Sequence, residues 1–244
     1  MRQVPAKNSS YLLIGSGRLA KHLIHYFGLV KIPLNLWNRR DHSAAELTQL
    51  VGQSDKILLA IADQAIEKFV AEHDFSGKSI IHFSGALTVP RTTSAHPLMT
   101  FSERFYDLDF YQKIPFILEQ DGPDFPQIFP ELPNPSFRIA AEKKAFYHSL
   151  CVMAGNFTGL LWKKLFQEFE GELAIPKEAA LPYLQAVMQN LMQNPQQALT
   201  GPLVRKDWAT VDKNLHALQT DSFLPVYLGF LKSFDAEKYK GLNL

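Results

Sequence analysis

A short apolar run, Tyr11-Leu12-Leu13-Ile14, leads straight into Gly15-Ser16-Gly17-Arg18-Leu19-Ala20, and that junction restricts the fold of this 244-residue chain more than any other segment. In a G-x-G-x-x-A turn between strand and helix, the first glycine permits the tight turn. The second leaves the backbone open to close approach, and the small third residue lets the helix lie near the strand. The context agrees: Leu19, Leu23, Ile24 and Phe27 fall at helical spacing, Gly28 supplies a stop, and residues 32–37 read as a second strand. This is how a dinucleotide-binding βαβ unit begins, with pyrophosphate held by the free N–H groups of the helix start. Gly15, Ser16, Gly17, Arg18 and Leu19 are its expected contacts.

The loop after the second strand selects the dinucleotide. An NAD site places an acidic residue there for the ribose 2′-hydroxyl. This chain has Asn38-Arg39-Arg40. Arginine offers a planar, permanently charged fork that suits a 2′-phosphate, so NADP is the expected cofactor. Solvated loop charges are the alternative reading of the two arginines. Asp41 reads as a cap for a helix over residues 43–50.

With 25 basic and 24 acidic residues and no cationic block along one face, the composition points to neither nucleic acid nor a membrane surface. The first ten residues lack the apolar core of a signal peptide, so a soluble cytoplasmic protein is expected. Cys151 is the sole cysteine, which excludes an internal disulfide and a cysteine metal cage. Histidine spacings suggest no metal.

Residues 56–61, 78–84, 93–95 and 114–118 read as further strands, with a helix over residues 63–72. The pattern predicts an α/β fold: a Rossmann doubly wound, mainly parallel sheet in residues 1–140, followed by an all-helical domain in residues 141–244. Prolines at 123, 126, 130, 133 and 135 bar a regular helix or a central strand there, though a helix turn fits between them. Residues 141–170 read as one long helix, apolar at Phe146, Leu150, Met153, Phe157, Leu161, Leu165 and Phe169 and so expected to be largely buried. Further helices are expected from Pro176 toward Met192, from Pro195, and over residues 210–218 and 222–234. Apolar surface on the long helix and on residues 223–230 predicts a homodimer through the C-terminal domain.

Ligands in doubly wound sheets sit beyond the carboxyl ends of the strands, so polar residues there are site candidates. Ser84 could touch the nicotinamide ribose or substrate, or simply close a turn; Asp63 reads as a helix cap, with the backbone of Ile61 and Ala62 along the adenosine side. His96, on a loop before Pro97, could exchange a proton near neutral pH, or be a loop histidine bonded to backbone. His148 and Asn156, eight residues apart on the long helix, suit a proton donor and a carbonyl-orienting amide, or a helix-packing pair. After the turn at Thr200-Gly201-Pro202, Arg205 could grip a substrate carboxylate, or pair with Asp207.

The series G-x-G-x-x-A, Asn38-Arg39-Arg40, His82-Phe83-Ser84-Gly85-Ala86-Leu87, Ala95-His96-Pro97-Leu98-Met99-Thr100-Phe101, Tyr147-His148, Gly155-Asn156 and Ala198-Leu199-Thr200-Gly201-Pro202-Leu203-Val204-Arg205-Lys206-Asp207 covers nearly the whole chain. It resembles a family of two-domain NADP-oxidoreductase-like proteins, a Rossmann domain joined to a helical domain of unknown function. That family is distantly related to pyrroline-carboxylate reductases, ketopantoate reductases and β-hydroxyacid dehydrogenases. The resemblance implies fold and cofactor rather than substrate. The dehydrogenase relatives carry a catalytic lysine one turn before an asparagine, and here Val152 stands one turn before Asn156. The leading expectation is an NADP-dependent oxidoreductase acting on a small carbonyl, imine or hydroxyl compound held between the domains. The alternative is a non-catalytic NADP-binding or sensor protein.

Overall fold

The structure is a computed structural model that describes residues 9–239. Seven strands, β1 (Tyr11–Ile14), β2 (Leu34–Trp37), β3 (Lys56–Leu59), β4 (Ser79–His82), β5 (Thr93–Pro97), β6 (Phe116–Glu119) and β7 (Ser136–Ile139), form one sheet in the order β2-β1-β3-β4-β5-β6-β7. The first five are parallel; β6 runs against β5, and β7 runs with β6. From β1 the chain steps outward to β2, then returns to place β3 on the other side of β1, so Ile14 is flanked by Trp37 and Leu59. That reversal makes the crevice in which open α/β sheets bind ligands.

Strand residues alternate between the two faces, and both faces are covered. Tyr11 and Leu13 of β1 join Leu58, Ile81, Ala95, Phe116 and Leu118 in a core beneath helix α1 (Arg18–Leu29). Leu12 and Ile14 join Ile57, Leu59 and Ile80 under α2 (Ala44–Gly52) and α3 (Asp63–Glu72). Helices α4 (Leu108–Lys113) and α5 (Phe125–Ile128) complete the first core, and α5 is the helix turn expected among the prolines. The strand β7, which closes the proline tract, is not expected from the sequence. It lies at the sheet edge, where missing N–H donors are tolerated.

Two caps differ from expectation. Ser43, not Asp41, caps α2, in a reciprocal box with Glu46. Ala62 is the N-cap of α3, and Asp63 is its first residue.

The chain divides into two compact units, residues 1–161 and 162–244, so the division falls inside the long helical run rather than at 140/141. That run is helical throughout but changes pitch: a 3-10 turn (Ala141–Lys143), α6 (Lys144–Cys151), a π-helical stretch (Val152–Phe157), then α7 (Thr158–Glu170). The expectation of burial fails here. Phe146, Leu150, Met153, Phe157 and Leu161 are all exposed. The second unit continues with a 3-10 turn (Lys177–Ala180), α8 (Leu181–Gln193), α9 (Trp208–Ala217) and α10 (Leu224–Phe234). Residues 195–207 form turns instead of the helical segment expected from Pro195. Val211, Leu231 and Tyr239 make a small core there, and Lys164 bridges Glu168 and Asp221, each at 2.7 Å.

At the end of β4, His82 is fully buried. Its Nδ1 accepts from the Ser84 N–H at 3.2 Å, while Nε2 finds no partner among the described residues. Burial, reinforced by the Lys144 charge, lowers its pKa to about 4. The unfolded chain therefore takes up this proton near pH 6.5 and the folded chain only near 4. Stability present above that window should fall as pH drops through it, by about 3 kcal/mol from this group. Denaturant unfolding at pH 7 and pH 4.5 checks this, with His82→Gln expected to lose markedly less on acidification than the parent chain.

Candidate functional site

Beside the β1/β3 reversal lies a cavity of about 450 Å³ lined by Gly15, Ser16, Gly17, Trp37, Asn38, Arg39, Arg40, Ala60, Ile61 and Ala62, with Phe69 at its wall. Gly15 has φ +137°, and a Cβ there would collide with the Ala60 carbonyl, so only glycine fits. Gly17 is different: a Cβ there would meet nothing within 4 Å. The open space faces the start of α1, whose first-turn N–H groups receive no side-chain cap. A bound phosphate would find unpaired donors there. Arg18 and Leu19, expected as contacts, do not line this cavity. Leu19 packs on the core, and Arg18 is exposed on the first turn of α1.

The loop after β2 winds around Asn38. Its side-chain oxygen accepts from the N–H groups of Arg40 and Asp41, each at 3.1 Å, and so shapes the loop, while Asn38 itself lines the cavity. Arg40 Nε lies 3.3 Å from Asp41. Arg39 has no ion pair among the described residues, which leaves its guanidinium the freer of the two.

A second cavity, of about 620 Å³, is lined by His96, Leu98, Met99, Thr100, Tyr147, His148, Leu150, Cys151, Val152, Ala154, Gly155 and Asn156. It brings together His96, His148 and Asn156, all three expected as catalytic. The rings of His96 and His148 meet edge to face with centroids 5.9 Å apart. Gly85, just after β4, allows this: a Cβ there would come within 2.7 Å of the His148 ring and 3.0 Å of the His96 ring. Sequence reasoning assigns Gly85 no such role, because both rings reach it from distant parts of the chain.

The expectation that His96 titrates near neutral pH is overturned. Burial first, and the nearby His148 second, lower its pKa to about 4, so at neutral pH the ring is uncharged. Its Nδ1 lies 2.8 Å from the Tyr147 hydroxyl. Tyr147, which sequence reasoning does not nominate as a site residue, is itself pushed up by burial and by Cys151, so it stays a neutral phenol.

Ser84 does not reach either cavity. Its hydroxyl donates to Asp63 at 2.6 Å and accepts from the N–H groups of Ala86 and Leu87 at 3.2 and 3.1 Å, closing the turn after β4. The turn-closing reading of Ser84 is the one realised. Asp63 accepts that bond instead of capping its helix. Behind the turn, buried Lys144 donates to the Leu87 carbonyl and to Glu119 at 2.8 Å.

Thr200 and Arg205 belong to the second unit. Gly201 takes φ +92° in the turn after Thr200, Arg205 is exposed, and Asp207 caps α9 by accepting from the Thr210 N–H at 3.2 Å. Among the described residues no three His, Cys, Asp or Glu side chains stand together to hold a metal ion, and no helix is long and apolar enough to cross a membrane.

Residues 115–232 match a family known as DUF2520, a domain of unknown function. No protein with a curated description matches the chain. Among solved structures, BF3122 from Bacteroides fragilis, whose name gives it as a candidate NADP oxidoreductase, is 22% identical with a TM-score of 0.73, covering 93% of this chain and 98% of that one. A reductive aminase from Aspergillus terreus in complex with NADPH and ethyl-5-oxohexanoate is 15% identical with a TM-score of 0.61, covering 96% and 95%. The 1-pyrroline-5-carboxylate reductase of Streptococcus pyogenes is 15% identical with a TM-score of 0.57, covering 96% and 99%. Residues 115–232 are thus similar to DUF2520, and along nearly its whole length the chain shares the Rossmann-like fold of these proteins.

Proposed function

We propose that the chain is an NADP-dependent oxidoreductase that moves hydride to or from a small carbonyl, imine or hydroxyl compound, acting in the cytoplasm. One observation carries the reading. Two cavities open at the carboxyl ends of the parallel strands, one built from Gly15, Gly17 and the arginine loop, the other from His96, His148 and Asn156. The names of the structural neighbours, which include NADPH complexes, support the same cofactor.

The residues present fit that cofactor. Gly15 and Gly17 leave room for a pyrophosphate against the uncapped start of α1, Arg39 and Arg40 would hold the 2′-phosphate, and Ile61 and Ala62 would line the adenosine. When bound, the nicotinamide supplies the hydride. This chain's residues would supply the rest. His148 exchanges the proton with the substrate heteroatom, the Asn156 carboxamide orients it, and neutral His96 contributes a hydrogen bond rather than a proton. Thr200 and Arg205 remain proposed substrate contacts.

We also propose a homodimer through the helical C-terminal part, supported by the exposure of Phe146, Met153, Tyr183, Met192 and Phe230. Light scattering at micromolar concentration should give twice the 27.7 kDa mass of one chain, and a monomer would reject the dimer.

Calorimetric titration should show NADPH binding more tightly than NADH by about 1.5 to 3 kcal/mol, the strength of a hydrogen bond to a charged group. Arg39→Ala should erase most of that difference, whereas equal affinities in the parent chain would end the cofactor assignment. His148→Ala should lower kcat by about 10²- to 10⁴-fold with NADPH affinity nearly unchanged, as loss of a general acid does. NADPH binding without turnover of any carbonyl, imine or alcohol would favour a sensor.

A further inference from the structure

On the reading just given, the catalytic cavity also bears on the kind of substrate. Of the residues that line it, none is Lys, Arg, Asp or Glu. Leu98, Met99, Leu150, Val152 and Ala154 give it apolar walls, and the polar groups that interrupt them are neutral amide, hydroxyl and thiol groups and two histidines. Tyr147 and His96 satisfy each other across 2.8 Å, and His96 is kept uncharged by burial and by its neighbour His148. Lys144, buried beside His96 and Tyr147, does not itself line the cavity; its ammonium donates to the Leu87 carbonyl and pairs with Glu119 at 2.8 Å, and its charge adds to what keeps His96 unprotonated.

We propose that this cavity takes an uncharged carbonyl or imine compound with apolar substituents, and discriminates against substrates that carry a carboxylate beside the reacting carbon. An anion entering an apolar wall loses its hydration and meets no cation among the residues that line the cavity. A neutral ester or ketone of the same shape loses little, and the apolar wall favours it. The role expected of Arg205, a grip on a substrate carboxylate, is then not required for recognition.

The test pairs a branched-chain 2-oxo acid with its own methyl ester, which differ in charge far more than in shape. With NADPH, the ester should show kcat/KM at least about tenfold above that of the acid. V152K, which adds a cation to the cavity wall, should shift that ratio toward the acid by about tenfold. A parent chain that prefers the acid or treats both alike overturns the proposal and restores the role of Arg205, and so does a ratio unmoved in V152K. Calorimetric binding of ester and acid to the protein, with and without NADPH, reads the cavity even where turnover is absent. Tighter ester binding supports the proposal; tighter acid binding, or no ester binding, overturns it. Failure of the oxidoreductase reading itself appears separately, as absence of NADPH binding in the titration with cofactor alone.

Discussion

A single buried ammonium organises the edge of this sheet that carries the histidine pair. Lys144, at the start of α6, is only 3% exposed, and it donates both to the Leu87 carbonyl, in the segment after β4, and to Glu119 at the end of β6. Burial drives its pKa down, and Glu119 works against that shift. An ammonium so placed depends on its partners, and removing one member of a buried pair typically costs about 3 to 5 kcal/mol because the other is left uncompensated. Three separate pieces of chain therefore meet at one atom. His148 is one helical turn beyond Lys144, so the anchor also sets the height at which its ring reaches Gly85 and His96.

The same edge shows how a sheet can hold two sites with different electrostatics. At the β1/β3 reversal the backbone supplies unpaired N–H groups and the β2 loop supplies guanidinium charge. A few strands away, the histidine pair and its apolar walls bring no fixed charge. His22 of α1 links the two regions: it is buried, 2.7 Å from the Tyr111 hydroxyl and 2.9 Å from the Ser102 carbonyl, and so ties the segment just beyond Leu98, Met99 and Thr100 to the helix opened by Gly17.

The parts of this fold that are local in origin were legible in the sequence. Gly15 and Gly17, the apolar strand runs and the loop of Asn38-Arg39-Arg40 each declare themselves within a few residues. His96, His148 and Asn156 could be nominated as well, because strand ends and helix faces are positional facts. Contact across long separations required the folded chain. The Tyr147 hydroxyl on the His96 ring, the hydroxyl of Ser84 turned to Asp63, and the suppression of His96 protonation all depend on what stands beside each group in space. Asp41 and Ser43 illustrate the finer limit. Either could cap a helix, and only the reciprocal bond from Ser43 to Glu46 decides between them.

The π-helical stretch Val152–Phe157 alters how this chain can be compared with any other. A π-turn closes between residues five apart, where an α-turn closes between residues four apart. Counted along the sequence, Val152 and Cys151 precede Asn156 by four and five residues, and in the widened helix the two straddle the position one turn below it. Both side chains line the cavity. A search for an equivalent of the dehydrogenase lysine therefore has two positions to consider, Val152 and Cys151. At neither does this chain present a cation: one is an apolar valine, and the other a soft, polarisable thiol.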